Sequence, residues 1–265
     1  YRKGDKKHEQ KKTALVSIEP KEIKMPNICY FLKDAKPDDY VADAAREYLI
    51  DERGVNPDDY PFMLARKAEN PKLHKWIGRV IIPIYKNNKL IFYTGRALYD
   101  AAQKYETPAT PKERILYGFD RLFERTEAPL IVTEGWFDGY AVDGVATLGN
   151  VITPYQHQWL NRSPREKIYI PDKFGDGLRA AEQALSVGWS ISTPDIGSDC
   201  KDMSDAVKKY GKMYVMKSII EKMGAKEITI GSGLTEASPI THQTSPSDSL
   251  ETRVNTVGRV IEHTE

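Results

Sequence analysis

The second half of the chain repeats one pattern, and that pattern restricts the fold more than any single residue. From residue 129 onward, short apolar runs (PLIVTE, VATLG, KIYIPD, WSISTPD) alternate with segments of helical spacing (GWFDGYAVD, TPYQHQWL, GLRAAEQALSVG, DMSDAVKKYG). Strands alternating with helices at this spacing predict βαβ units around a parallel sheet. Right-handed crossovers would place the helices on both of its faces. Gly188 is expected to close the GLRAAEQALSVG helix.

The first half reads differently. Residues 38–53, DDYVADAAREYLIDER, carry apolar residues at helical intervals (Val41, Ala44, Ala45, Tyr48, Leu49), and Gly54 supplies a stop. RVIIPIY and KLIFY follow as strands with Asn87 and Asn88 between them, a hairpin signal. Pro83 inside the first run argues for an edge or bulged strand. Residues 104–115, with Pro108 and Pro111, read as loop. The expected division is a partly flexible arm at 1–37, a mixed α/β unit at 38–125, a parallel-sheet domain at 126–225 and a tail of low order at 226–265.

Composition narrows the function classes. With 265 residues, 40% hydrophobic and 29% charged, the chain can bury a real core and keep a soluble surface. A net charge of +1 means that any basic surface must arise from local segregation. Cys29 and Cys200 form no CxxC pair, so no zinc site is expected, and a disulfide framework is unexpected too. His8, His74, His157, His242 and His263 share no metal or nucleophile spacing. The apolar runs are too short to span a bilayer, so no membrane partner is expected and a cytoplasmic location fits. The chain opens on Tyr1 rather than Met, as a fragment lacking an upstream part would.

Two acids, Glu134 and Asp172, fall where strands end. The carboxyl ends of parallel strands form the ligand crevice of an open sheet. Glycines beside both acids allow a bulky anion or a metal to approach the backbone, and Asp138 follows Glu134 by four residues, placed to support it. Clustered carboxylates repel one another unless a divalent cation intervenes; Mg²⁺ is held by one or two carboxylates plus waters and phosphates. Such a site serves phosphoryl or nucleotidyl transfer. The competing reading of a strand-end acid is the N-cap of the next helix, and Asp202 fits that role in particular. Trp136 and Trp159 read as core residues.

These segments carry a resemblance. LIVTEGWFDGYAV resembles the first Toprim signature of primases, in which an EG dipeptide follows a strand and an acid comes shortly after. IYIPDKFGDGLRAAEQAL resembles the second, in which a DxD motif leads through glycine into a helix, and CKDMSDAV is similar to the KD-x-x-D stretch downstream. Upstream, GRVIIPIYKNNKLIFYTGRAL, KYETP, LYGF and AAREYLIDERGV look like the segments that precede Toprim in phage-type DNA primases, in the same order. The likeness spans roughly residues 40–215.

The resemblance implies a basic mixed α/β subdomain beside a Rossmann-like Toprim domain. It implies Mg²⁺ or Mn²⁺ at Glu134 and Asp172, and template-directed synthesis of RNA primers from ribonucleoside triphosphates on single-stranded DNA, with a replicative helicase as partner. The second Asp of DxD falls on Phe174, which cannot ligate metal; Asp176, two residues on, is the expected substitute. Arg79, Arg96 and Lys104 match basic positions of the upstream motifs, and Lys173 and Lys201 flank the acids, so all five are expected to meet nucleotide or template. Asp138 and Asp202 are expected to support the site. The zinc module that often precedes such cores is absent from this sequence. The alternatives are a Toprim nuclease and a degenerate Toprim module that only binds nucleic acid.

Overall fold

The computed structural model describes residues 19–172 and 177–224, with short strand pairs at 231–232, 242–243 and 259–260. Three expectations lie wholly or partly outside these residues: the arm at 1–37, of which 1–18 fall outside, Lys173 and the Phe174/Asp176 loop, and most of the tail.

The first half folds around a five-stranded antiparallel sheet whose spatial order follows the chain: β1 (Cys29–Phe31), β2 (Met63–Ala65), β3 (Arg79–Lys86), β4 (Lys89–Ala97) and β5 (Tyr105–Glu106). Asn87 and Asn88 both adopt positive φ, 49° and 61°, as a tight hairpin turn requires. Pro83 was expected on an edge or bulged strand; β3 is the central strand and it is bulged directly after the proline. The proline is tolerated because β2 pairs with β3 only at Met63–Ile81, leaving that flank of the strand unpaired further along; a bulge follows at Ile84/Tyr85. Tyr105 and Glu106, expected in a loop, pair with Arg96 and Gly95 as an edge strand.

Helix α1 (Tyr40–Glu47) starts on Asp39, whose carboxylate accepts from the Val41 and Ala42 amides. It runs on through a wider turn, Tyr48–Glu52, and ends at Gly54, which takes φ +63°. No side chain fits there, since a Cβ would lie 2.8 Å from Cβ of Lys208.

The second half is the expected α/β unit. Strands β6 (Leu130–Thr133), β7 (Val145–Ala146), β8 (Lys167–Tyr169) and β9 (Ser190–Ser192) run parallel in the order β7-β6-β8-β9, and β10 (Met223–Gly224) adds an antiparallel edge. Between and after them lie α2 (Trp136–Ala141), α3 (Pro154–Arg162), α4 (Gly177–Ser186), α5 (Met203–Tyr210) and α6 (Lys212–Glu221). A capping box between Thr153 and Gln156 starts α3, and Gly188, at φ +80°, follows α4.

Both faces of this sheet are covered. Leu130, Val132 and Tyr169 join Leu160, Ala181 and Ala184 on the α3/α4 side, while Ile131, Ile168 and Ile170 pack with Ala206, Val215 and Ile219 on the α5/α6 side. Burial on two faces is why these strands read as unbroken apolar runs rather than alternating ones. The first cluster continues into Leu49, Phe62, Val80 and Phe92, so the two halves share one core. In the tail, expected to be of low order, Gly231–Ser232, His242–Gln243 and Arg259–Val260 (β11–β13) form a small third sheet.

Candidate active site

Glu134 leaves the carboxyl end of β6 and is 8% exposed. Its backbone carbonyl accepts from Leu148 N at 2.8 Å, and its side-chain Oε1 accepts from the Tyr169 hydroxyl at 3.0 Å. Gly135 is needed beside it. A Cβ there would stand 2.8 Å from Oδ2 of Asp138, so any larger residue would push that carboxylate from its place against the start of α2.

Asp138 is buried as well, and its Oδ1 accepts from the Ser204 amide at 3.1 Å. Burial, reinforced by the neighbouring Asp202 and Asp172, pushes its pKa up to about 8; the Ser204 amide works in the opposite direction. Asp172, one residue past Pro171 at the end of β8, is exposed to solvent. Its pKa is also raised, first by desolvation and then by Asp202. Asp202 caps α5 through Asp205 N at 2.8 Å and pairs with Arg53 at 3.4 Å. Asp202 is thus an N-cap, and it shares the small hollow with Asp138 and Asp172.

Two hollows meet this cluster. A small one, about 10 Å³, is lined by Asp138, Asp172, Lys201 and Asp202. That is roughly the room one water-sized particle occupies. A larger cleft of about 230 Å³ has Glu134, Gly135, Trp136 and Asp172 on one side and Phe92, Thr94, Tyr105, Thr107 and Lys112 on the other. Among the described residues no three His, Cys, Asp or Glu side chains close into a ready-made metal cage. The donor set is nonetheless hard oxygen crowded by like charge. That suits a cation taking one or two protein carboxylates and completing its shell with water and phosphate oxygens.

The cations selected from sequence have separate fates. Arg79 is 4% exposed, and its guanidinium donates to the carbonyls of Lys75, Gly95, Gln103 and Lys104 at 2.8–3.2 Å, stapling the start of β3 to the loop before β5. It lines neither hollow. Arg96 lies between two rings, 5.7 Å from Tyr48 and 5.1 Å from Tyr105, with its buried Nε lacking a protein hydrogen-bond acceptor among the described residues. Lys104 is exposed and offers its carbonyl to Arg79. Lys201 borders the small hollow. Lys112, which the sequence reading passed over, lines the large cleft, and its pKa is lowered by desolvation. Its only sequence signal was a basic residue directly after Pro111. Trp136 belongs to the core, 3% exposed, yet also walls the cleft, stacked on Tyr140 with ring centroids 4.9 Å apart.

Solved structures share this architecture. The DnaG primase catalytic domain bound to ssDNA superposes with a TM-score of 0.55 at 25% identity, over 70% of this chain and 74% of that one. The fold is that of a DnaG-type primase catalytic core. The DnaG catalytic core itself gives a TM-score of 0.57 at 24% identity, over 73% of this chain and 76% of that one. The E. coli primase catalytic core gives 0.56 at 23%, over 73% and 77%. No known-family model matches the sequence. A 51-residue stretch, 19% of the chain, is 57% identical to a putative acyl-CoA synthetase, YngI, of Bacillus subtilis and 43% identical to the mitochondrial medium-chain acyl-CoA ligase ACSF2 of Rattus norvegicus. The chain spans less than a tenth of the length of these relatives, 9% and 8%.

Proposed function

We propose that this chain is the catalytic core of a DNA primase, joining ribonucleotides on a single-stranded DNA template with release of pyrophosphate. The observation that carries the reading is the cleft itself: strand-end acids on the parallel-sheet wall face Lys112, aromatic and hydroxyl side chains on the antiparallel-sheet wall. One wall suits a divalent cation, and the other suits a base, a ribose and an anionic phosphate chain. The fold shared with primase catalytic cores, including one bound to ssDNA, supports the assignment.

The β6-to-β9 unit with its covering helices is the Toprim domain in this reading. Glu134 and Asp172 would hold Mg²⁺ or Mn²⁺, with Asp138 and Asp202 behind them. There a cation would supply neutralisation of the charge that develops on the α-phosphate during nucleotidyl transfer. The chain's own residues do the rest. Trp136, Phe92 and Leu148 exclude water from the cleft, and Lys112 offers a compact positive charge to the triphosphate. Arg96, held between the rings of Tyr48 and Tyr105, would contribute positive charge near the cleft, whose wall includes Tyr105. Arg79 is assigned a structural role, because four carbonyls already occupy its donors. A replicative helicase as partner and a phage origin are part of the same proposal. No described helix is long and apolar enough to cross a membrane.

The deciding experiment is primer synthesis on single-stranded DNA with ribonucleoside triphosphates and Mg²⁺, comparing wild type with Glu134→Gln. Metal-dependent primers from wild type alone support the reading. Cleavage of the template without synthesis would favour a nuclease, and binding without either reaction would favour a non-catalytic module.

A further inference from the structure

We propose that Tyr169 is a positioning residue that holds Glu134 in place, an inference that rests on the primase reading of the site. The geometry comes from strand register. β6 and β8 pair in parallel with Val132 opposite Tyr169, and Ile170 N donates to Val132 O at 2.9 Å. Side chains on a strand alternate between faces, so Val132, Glu134 and Tyr169 all point to the α3/α4 side. Glu134 lies one two-residue step beyond the level of Tyr169, roughly 6.6 Å along the strand. A phenol is long enough to cross that step, and its hydroxyl reaches Glu134 Oε1 at 3.0 Å.

Nothing else in the surroundings calls for a hydroxyl. Tyr169 is fully buried among Leu130, Val132 and the α4 alanines, an environment that phenylalanine would fill as well. A hydroxyl placed in an apolar interior costs stability unless it is bonded, and the acceptor here is the glutamate. Burial and the adjacent carboxylate keep the phenol protonated, so it acts only as a donor.

The consequence reaches both acids. A glutamate has three side-chain torsions, the last of them broad, and a fixed donor on one oxygen removes most of that freedom. Tyr169 and Asp172 lie three residues apart, on β8 and just past its end, so the element that ends at one acid also grips the other. β8 thereby sets the spacing of Glu134 and Asp172.

The test uses Mn²⁺ binding to the protein without nucleotide, followed by titration, alongside steady-state primer synthesis. The proteins are wild type, Tyr169→Phe, Glu134→Gln and the double variant. Tyr169→Phe is expected to unfold within a few degrees of wild type, to bind Mn²⁺ about tenfold more weakly, and to lose kcat while the KM for nucleotide changes by less than about threefold. In the Glu134→Gln background, Tyr169→Phe should change Mn²⁺ affinity no further. Wild-type Mn²⁺ affinity in Tyr169→Phe overturns the positioning role, whatever the activity. An equal loss in the Glu134→Gln background overturns it too, by showing a general packing effect. If wild type binds Mn²⁺ through Glu134 yet makes no primers, the primase reading fails, while the Mn²⁺ arm still decides the role of Tyr169.

Discussion

On the parallel-sheet side of the cleft, acids gather: Glu134 at the end of β6 accepts from Tyr169, and Asp138 in the first turn of α2 accepts from the Ser204 amide. On the antiparallel-sheet side the buried charge is a guanidinium surrounded by acceptors, Arg79 on four carbonyls. The two walls thus use buried charge for opposite purposes. Four acceptors compensate Arg79 and make it a staple. Desolvation first, and the neighbouring Asp202 second, raise the pKa values of Asp138 and Asp172, so this wall resists carrying several charges at once. A buried charge points to function when its neighbours fail to compensate it.

The contrast can be broken most severely at Glu134. Glu134→Gln keeps shape and removes charge. Primer synthesis is expected to fall on the order of a thousandfold, the several kcal/mol of charge stabilisation a bound cation supplies, with the circular dichroism unchanged. Primers made at the normal rate would return Glu134 to an ordinary strand-end acid.

Arg79→Ala should do the reverse, costing about 2–4 kcal/mol of stability by removing a buried side chain and its four hydrogen bonds. Urea denaturation measures that loss. The salt dependence of DNA binding by the folded fraction should stay as in wild type; a flattened slope would place Arg79 at the nucleic acid after all.

The acid wall also predicts a pH signature. Asp138 has its folded pKa raised to about 8, above the ordinary carboxylate value near 4. Its contribution to stability is therefore fully present below about pH 4 and is lost as pH rises through about 8. Metal-free protein should melt several degrees lower at pH 8.5 than at pH 6, roughly 5 °C for a group of this kind. Asp138→Asn should flatten that slope, and saturating Mg²⁺ should reduce it. A metal-free melting temperature indifferent to pH across this window would mean the acids are not crowded.

The smallest effects are expected from the cations left with open valences. Arg96→Ala should reduce the slope of log affinity against log salt for single-stranded DNA by about 0.7, the value for one phosphate contact. Lys112→Ala should raise the KM for nucleotide about tenfold, as loss of a charge-assisted contact would. An unchanged slope in the first, or an unchanged KM in the second, returns that residue to the solvated surface.

Much of this was legible without coordinates, for a physical reason. Strand and helix periods are local properties, so LIVTEG and IYIPD announced parallel strands, and strand ends fix where acids emerge; Glu134 and Asp172 followed. Asp202 could be read as a cap for the same reason. Edge or centre is decided by partners distant in sequence, so Pro83 announced an edge or a bulge without deciding between them; β3 is central and bulged beside it.

The chain by itself determined the alternation of elements, the two-faced burial of β6 and β8, the hairpin at Asn87–Asn88 and the strand-end acids, all set by neighbours within a few residues. Only the tertiary structure decided which cations are compensated. Arg79 and Arg96 lie at adjacent levels of the β3–β4 hairpin on opposite faces of the sheet, and the loop at 103–104 closes on one while aromatic rings close on the other. It also brought Lys112 to the cleft and the Tyr169 hydroxyl to Glu134, a contact between residues 35 apart that exists only because β8 lies beside β6. Whether a side chain's charge or hydrogen bond is satisfied depends on groups the chain delivers from elsewhere, and no local pattern encodes those.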